Sequence, residues 1–398
     1  MSRPSTAEFL GLKHRRGRRR LPERTYWIRR AVALLVLLVL VGGGAYAVKR
    51  LVDDDVEYGA GPPAEQTLKK AAWGLTEHNG ESLFPHYRDL GIGIFETQAR
   101  WDAIALRRPK KPADWRDPAY EWPAYLGETI KEAKRHGMEV MIQIIGAPKW
   151  ANGGRKWTYP PLRPSDYGDF AAAMASRYPE VRHWMIWGEP NSRRAFSLVV
   201  DAPMTSRTRL NAKQARAPRL YAQIVDEAYE GIKGVSSRNL VIGGNTYLSS
   251  GHPVVRPYQW IRYMELPDGS RPRMDLWGHN PYSFRRPNLE ARPSPRGRVD
   301  FSDLGRLTAT LDKTFPGPPL RLFLSEWGVP TGLDQDLEFE VETDVAVKWV
   351  NSAFGIVREW DRIYTLGWSV PVDTPRNPQG LLDDDLEPKA TYDAFKRG

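Results

Sequence analysis

Two glutamates each stand at the end of a short apolar run. Glu189 lies in WMIWGEPN and Glu326 in LFLSEWG, and both runs are typical of buried β-strands. A carboxylate in such a position is costly to bury unless it is paired or used in chemistry. Two carboxyls in different protonation states can cleave a glycosidic bond, because one protonates the leaving oxygen and the other faces the anomeric carbon.

The spacing of the two carboxyls decides the stereochemistry of such a reaction. About 5–5.5 Å between them allows a covalent intermediate and retention, whereas about 6.5–9.5 Å leaves room for water and inversion. Taken singly, either glutamate has an alternative role, in which it pairs with an arginine and braces a strand end. Catalysis by either route requires that the two strands end at the same edge of one sheet.

The elements around the glutamates alternate between strand-like and helix-like segments from about residue 65 onward. Short apolar runs of this kind are typical of parallel strands that are buried on both faces. The pattern predicts an α/β fold, a (β/α)8 TIM barrel, with a doubly wound open sheet as the alternative. The predicted strands are 71–75, 92–96, 138–146, 181–187, 239–245, 274–279, 320–326 and 362–369.

Amphipathic helices are predicted between these strands. Tyr221, Ile224, Val225, Ala228 and Ile232 recur at helical spacing and form the clearest stripe. One further helix is predicted to end at Gly137, and another to begin after Ser165 as its N-cap. Two more are predicted around Leu304, Leu307 and Leu311, and from Thr343 to about Trp360.

The amino-terminal region has a separate organisation. Residues 1–30 contain ten arginines and lysines against two glutamates, so most of the net charge of +10 lies in this tail. Residues 31–48 form an uncharged apolar run that is just long enough to cross a bilayer as a helix. We predict a basic cytoplasmic tail at 1–30, a transmembrane signal anchor at 31–48, a linker at 49–64 and a catalytic domain at 65–398.

The basic tail before the apolar run predicts that the domain lies outside the cytoplasm. The alternative is secretion after signal cleavage, because Ala45-Tyr46-Ala47 has the shape of a cleavage site. Either way, we expect the membrane to be a partner only through the amino-terminal helix.

Several classes of function are excluded by the composition. The chain has no cysteine and seven scattered histidines, so we predict no metal site and no cofactor. GIGIFE at 91–96 has a glutamate where a dinucleotide fingerprint requires its third glycine. Nucleic acid is not an expected partner, because the domain beyond the tail has little net positive charge.

The motifs around the two glutamates resemble those of clan A glycoside hydrolases, most closely families 39 and 5. The chain has WGEPN at 187–191 and LSEWG at 324–328, in the order that these families have their acid/base and nucleophile motifs. GAPKWA at 146–151, HNPY at 279–282 and GW at 367–368 support the resemblance. It implies that Glu189 is the general acid/base, that Glu326 is the nucleophile, and that Tyr282 hydrogen-bonds Glu326.

One position departs from the family pattern. These families usually have asparagine directly before the acid/base glutamate, where its amide contacts the sugar 2-hydroxyl, and this chain has Gly188. Hydrogen bonds to that hydroxyl strengthen in the transition state. Asn191, Asn245 and Asn280 are the candidates to replace the contact.

Four further residues are candidates for binding substrate. Arg100 follows the second strand, and the resemblance places an arginine beneath the nucleophile, where its charge would keep Glu326 ionised. Trp150 and Trp368 are candidate sugar platforms, and His279 is a candidate site residue at the end of the sixth strand. The alternative for each is a packing or surface role.

Together these features predict a retaining glycoside hydrolase that acts on an extracellular or cell-envelope polysaccharide and is a monomer. Gly188 favours a different class of protein, a membrane-anchored barrel that binds polysaccharide with little catalysis. Transglycosylation, in which a sugar hydroxyl replaces water, is the third hypothesis.

Overall fold

Eight parallel strands close into a barrel, which confirms the predicted architecture and shows that the open-sheet alternative is wrong. The computed structural model describes residues 67–201, 209–247 and 253–398. The barrel strands are β1 (Lys70–Trp73), β2 (Ile94–Arg100), β3 (Glu139–Ile145), β4 (His183–Ile186), β5 (Leu240–Tyr247), β6 (Leu276–Asn280), β7 (Arg321–Trp327) and β8 (Ile363–Trp368).

The strands pair in chain order, and β1 closes the barrel by pairing with both β2 and β8. Ala72 lies opposite Trp368 on one side, and Trp73 lies opposite Glu96 on the other. Each predicted strand overlaps one of these elements. All eight strands run in parallel, so their carboxyl ends meet at one mouth of the barrel.

Helices connect the strands on the outside of the barrel. Between β1 and β4 lie α1 (Phe84–Asp89), α2 (Trp101–Ile104), α3 (Ala124–Arg135), α4 (Lys149–Asn152) and α5 (Pro164–Arg177). After β4 come α6 (Ala212–Val235), α7 (Pro257–Tyr263), α8 (Leu304–Thr314), α9 (Thr343–Glu359) and α10 (Ala390–Arg397). A short antiparallel hairpin, Glu77–His78 with Glu81–Ser82, follows β1.

The predicted helical stripes face the core. The five residues of the stripe in α6 are fully buried, and this helix begins with a capping box between Asn211 and Gln214. The prediction that Ser165 caps α5 is wrong. This helix begins at Pro164, before Ser165, and Arg163 is its N-cap residue. Proline suits the first helical position because it has no N–H that needs a partner.

The barrel interior changes from apolar to polar toward its mouth. A plug of one residue from each of seven strands fills the lower part: Ala71, Ile94, Met141, Met185, Ile242, Leu276 and Phe323. Side chains on a strand alternate between faces, so the residues two positions further along also point inward. At three of these positions the residues are Glu96, Gln143 and Ser325, all buried. Polar groups are therefore concentrated above the plug, toward the ends of the strands.

Helices α5 and α6 hold the ends of β3 and β4 in place. The Tyr167 hydroxyl donates to the Ile144 carbonyl at 2.6 Å, and the Tyr221 hydroxyl donates to the Ile186 carbonyl at 2.7 Å. The two helices approach closely through glycines, because a Cβ atom on Gly231 would lie 2.5 Å from the Gly168 carbonyl oxygen. This packing fixes the strand end that precedes Glu189.

The predicted tail, anchor and linker lie outside the described residues. Within the described ranges, no helix combines the length and the apolar character that crossing a bilayer requires. The anchor at 31–48 therefore stays a prediction from the sequence.

We expect Gly231→Ala to destabilise the protein by about 1–3 kcal/mol, because the new methyl group would force α5 and α6 apart. Gly234→Ala is the matched control, since a Cβ atom there meets nothing within 4 Å. Alanine favours the helix over glycine, so the control should gain up to about 1 kcal/mol. Denaturant unfolding measures both, and equal free energies of unfolding for the two variants would contradict the close contact.

Candidate active site

Glu189 and Glu326 line one pocket of about 450 Å³ in the described structure. Glu189 follows β4, and Glu326 is the penultimate residue of β7. Tyr282 also lines the pocket, so the structure brings these three predicted site residues together. Other lining residues include Trp73, Gln98, Gln143, Trp157, Gly188, Arg194, Tyr247, Asp336, Ser369 and Gln379.

The backbone around Glu189 has an unusual conformation. Trp187 and Glu189 both have positive φ, 65° and 43°, which non-glycine residues seldom adopt. The Trp187 N–H donates to the Ile144 carbonyl at 2.9 Å, and its indole N–H donates to the Ala195 carbonyl at 3.0 Å. Strained backbone of this kind persists where the surroundings enforce it, and it is concentrated at functional sites.

Asn191 supports this backbone and does not line the pocket. Its amide donates to the carbonyls of Tyr247 and Val255, each at 3.0 Å, and its side-chain oxygen accepts from the Tyr247 N–H at 2.8 Å. Both amide hydrogens are therefore committed to backbone carbonyls. Asn191 fastens the chain after Glu189 to the end of β5, which is a structural position and differs from its predicted contact with substrate.

Glu326 accepts a hydrogen bond from the neighbouring tyrosine. The Tyr282 hydroxyl donates to Oε2 of Glu326 at 3.1 Å, the bond that the family resemblance implies. Burial, and then the charge of Glu326, raise the pKa of Tyr282 well above its usual range. The phenol therefore keeps its proton and remains a donor.

Asn280, at the end of β6, links the two carboxyls. Its amide nitrogen donates to Oε1 of Glu189 at 3.1 Å, and its oxygen accepts from the Ser325 hydroxyl at 3.1 Å. Hydrogen bonding to Asn280 lowers the pKa of both Glu189 and Glu326. An amide held in this orientation stabilises negative charge on either carboxyl.

The pKa values of the two glutamates are nevertheless raised. Burial, and then the nearby Glu326 carboxyl, raise the pKa of Glu189 to about 8. Burial also raises the pKa of Glu326, while hydrogen bonds from Tyr282 and Asn280 oppose the change. The pair therefore holds one proton near neutral pH, and the donors around Glu326 favour its residence on Glu189.

A third carboxyl, Glu96 on β2, lies in the barrel interior. It is fully buried, and neither carboxyl oxygen has a hydrogen-bond partner among the residues that the structure describes. A Cβ atom on Gly367 would lie 2.4 Å from its Oε1, so glycine leaves the room that Glu96 occupies. Burial and then the Glu326 charge raise the pKa of Glu96 well above its usual range, which favours its protonated form.

The structure does not place Arg100 beneath Glu326. Its guanidinium binds Asp102 with hydrogen bonds of 2.6 and 2.7 Å and lies 4.2 Å from the ring centre of Trp157, which lines the pocket. Arg100 is the last residue of β2, four residues beyond Glu96, and there the Asp102 carboxylate holds its guanidinium. The ionisable neighbour of Glu326 on β2 is the Glu96 carboxyl and not a guanidinium.

Neither predicted tryptophan platform lines the pocket. Trp368 is buried, donates to the Gln379 carbonyl at 2.8 Å, and packs edge-on against Trp327. Trp150 donates to the Ala105 carbonyl at 2.7 Å, and Arg108 covers its ring. The tryptophans that do line the pocket are Trp73, Trp157 and Trp187.

His279 and Asn245 are buried in the barrel wall and do not line the pocket. The His279 ring nitrogens contact the Thr246 hydroxyl at 2.9 Å and the Val299 carbonyl at 3.0 Å. Burial lowers the pKa of His279 to about 4, so the ring is neutral. The Asn245 oxygen accepts from the Ser325 hydroxyl at 3.4 Å, and its φ of 39° places it in a strained turn of β5.

Several residues in or beside the pocket were not named as site residues from the sequence. Gln143 interrupts the apolar run VMIQII of β3, which is a usable signal, whereas Gln98 lies beyond the predicted strand 92–96. Arg194 lies five residues after Glu189, and its charge lowers the pKa of that carboxyl. Glu96 ends the predicted strand IGIFE and meets the same criterion that selected Glu189 and Glu326.

Within the described ranges, no cluster of three or more histidine, aspartate or glutamate side chains is suited to a metal ion.

Comparison with known proteins gives matches among solved structures. No family model matches the chain, and no curated protein matches it. A family 39 glycoside hydrolase from Bacteroides cellulosilyticus WH2 has a TM-score of 0.56 and 16% identity, covering 84% of this chain and 64% of that one. A glucosidase from Croceicoccus marinus has a TM-score of 0.56 and 16% identity, covering 82% and 64%.

A monomeric beta-xylosidase from Caulobacter crescentus CB15 has a TM-score of 0.54 and 14% identity, covering 85% of this chain and 69% of that one. The chain thus spans less than two thirds of the first two structures, at 64% of each. The likeness is one of fold, and it agrees with the resemblance drawn from the motifs. This chain has the barrel fold of family 39 glycoside hydrolases.

Proposed function

We propose that this protein is a retaining glycoside hydrolase that cleaves a polysaccharide outside the cytoplasm. The observation that carries the proposal is the pair of carboxyls, Glu189 and Glu326, which line one pocket and have raised pKa values. Cleavage of a glycosidic bond requires one acid and one anion at the same centre.

In the first step, Glu326 is the nucleophile. Its carboxylate attacks the anomeric carbon and forms an ester with the sugar, while the bond to the leaving oxygen breaks. Glu189 gives its proton to that oxygen, so the leaving group departs as a neutral alcohol. The Tyr282 hydrogen bond holds Glu326 in position as its charge is consumed.

In the second step, Glu189 is the general base. It takes a proton from a water molecule, whose oxygen attacks the anomeric carbon and releases Glu326 as a carboxylate. The product keeps the configuration of the substrate, and both glutamates return to their starting protonation states. The Asn280 amide, which contacts Glu189, stabilises the anion that Glu189 becomes between the two steps.

Two other functions compete with hydrolysis. Gly188 favours a barrel that binds polysaccharide without cleaving it, whereas the shared proton between Glu189 and Glu326 favours an enzyme. Transglycosylation uses the same ester and differs only in the acceptor of the second step. The products formed in the presence of added sugar alcohols would distinguish hydrolysis from transfer.

We expect covalent labelling of Glu326 by activated 2-deoxy-2-fluoroglycosides, which form the ester and release it slowly. Mass spectrometry of the full-length protein, with a panel of gluco, xylo, galacto, manno and glucurono probes, measures the added mass. Glu326→Gln should abolish labelling, because the amide is not a nucleophile.

Glu359→Gln is the matched control, since Glu359 is exposed at the end of α9, and it should label like the wild type. Absence of label across the whole panel would favour the binding protein. Labelling that persists in Glu326→Gln would show that another residue is the nucleophile.

We expect a bell-shaped dependence of kcat/KM on pH, with an alkaline limb near pH 8. Above that pH, Glu189 loses the proton that the leaving oxygen needs. At low pH, Glu326 takes up a proton and ceases to be a nucleophile. An aryl glycoside of the labelled sugar serves as the substrate.

In Glu189→Gln the alkaline limb should disappear, and the rate should fall by about 100-fold or more for poor leaving groups. A dinitrophenyl leaving group needs no protonation, so its first step should be little affected. An alkaline limb that survives this substitution would assign the acid to another group.

We also propose that residues 31–48 anchor the protein in a membrane, with the domain at 65–398 outside the cytoplasm. The ten basic residues before the apolar run support this orientation. Secretion after cleavage near Ala47 is the alternative.

The anchor predicts that the full-length protein stays in the membrane fraction after an alkaline carbonate wash and is digested by protease added outside the cell. Replacing Leu37 and Leu38 by arginine should release it from the membrane, because charges at a span centre are costly. A secreted protein whose first residue follows Ala47 would overturn the anchor and support cleavage.

A further inference from the structure

Two glutamines lie side by side in the pocket wall. Gln98 on β2 and Gln143 on β3 are register partners in the sheet, and both line the pocket. The amide nitrogen of Gln98 donates to Oε1 of Gln143 at 2.8 Å. The two side chains therefore form one carboxamide pair, joined by this hydrogen bond.

This pair has hydrogen-bonding capacity that the described residues do not use. Among the described residues, the Gln143 nitrogen donates only to the sulfur of Met185, at 3.2 Å, and sulfur is a weak acceptor. Gln98 makes no further hydrogen bond to any described residue, so its oxygen and one amide hydrogen remain available. Gln143 is only 3% exposed, and a buried amide with spare donors is costly unless a partner arrives.

Gly188 makes room for this arrangement. A Cβ atom at position 188 would lie 2.9 Å from Oε1 and 3.2 Å from Nε2 of Gln143. Any side chain there would push the Gln143 carboxamide away. Gly188 and Gln143 are therefore sterically matched, and the amide lies beside the residue that directly precedes Glu189.

We propose that the Gln98–Gln143 pair binds the hydroxyl at carbon 2 of the sugar that Glu326 attacks. This inference rests on the proposed function. A carboxamide both donates and accepts, as a hydroxyl does, and the hydroxyl at carbon 2 is the one next to the anomeric carbon. Its hydrogen bonds strengthen as positive charge develops there, so the pair is a specificity-determining element for that carbon.

Two covalent probes test the pair. A cyclitol epoxide of the conduritol type carries a hydroxyl next to the reactive carbon, whereas a 2-deoxy-2-fluoroglycoside has fluorine there. In Gln143→Leu, we expect the rate of epoxide labelling to fall by about tenfold or more while the rate of fluoroglycoside labelling changes little. Gln98→Leu should act in the same direction, and Gln223→Leu on α6 is the control.

A second comparison uses the steric match. Gly188→Asn alone should slow epoxide labelling, because its side chain collides with Gln143. Combined with Gln143→Ala, the new asparagine can occupy the vacated space, so the double variant should label faster with the epoxide than Gln143→Ala does. Circular dichroism and thermal unfolding identify any variant that fails to fold, and the comparison then rests on Gln98→Leu.

The outcomes separate this inference from the proposed function. If the wild type is labelled by neither probe in any sugar configuration, the proposed hydrolase is overturned and this inference with it. If the wild type is labelled and the ratio of the two rates is unchanged in Gln143→Leu and Gln98→Leu, only the role of the pair is overturned.

Discussion

Two carboxyls buried in one pocket cannot both be charged without a large cost in free energy. Among the described residues, neither Glu189 nor Glu326 forms a salt bridge, and their immediate hydrogen-bond partners are the neutral donors Tyr282 and Asn280. The pair therefore keeps one proton near neutral pH, and the uneven distribution of donors decides which glutamate holds it. The barrel supplies this constraint by bringing the ends of β4, β6 and β7 to one mouth.

The other polar groups near the mouth of the barrel are also subject to the cost of burying charge. Glu96 lies fully buried near Glu326, neither of its oxygens has a hydrogen-bond partner among the described residues, and its raised pKa favours the uncharged form. Gln98 and Gln143 form a second neutral group at this level, with donors and acceptors that point to a polar ligand. A sugar has hydroxyls that match such amides, and its anomeric carbon requires the acid and the anion. The proposed binding and chemistry thus use residues that line the same pocket.

The backbone near Glu189 is strained in this arrangement. Positive φ at Trp187 and Glu189 turns the chain sharply after β4, and Gly188 between them gives Gln143 its space. Asn191 and the tyrosines of α5 and α6 secure the turn from outside the pocket. Asn191, His279 and Trp368 are of residue types that are common in binding sites, yet here they hold the scaffold that positions the carboxyls. Their side chains are occupied by carbonyls and neighbouring rings.

The barrel, the eight strands and the convergence of Glu189 and Glu326 were predicted from the sequence, because apolar runs, helical stripes and strand-end residues are local patterns. The place of Tyr282 beside Glu326 was predicted from the family resemblance. Only the tertiary structure decided which other polar residues reach the pocket. Arg100 and Asn191 have suitable chemistry, yet the Asp102 carboxylate holds Arg100 and backbone carbonyls hold Asn191. Glu96, Gln98 and Gln143 depend on which side of a closed barrel their strand face points. The replacement of a missing side chain at Gly188 by an amide from β3 involves residues 45 positions apart, and local patterns carry no information about such contacts.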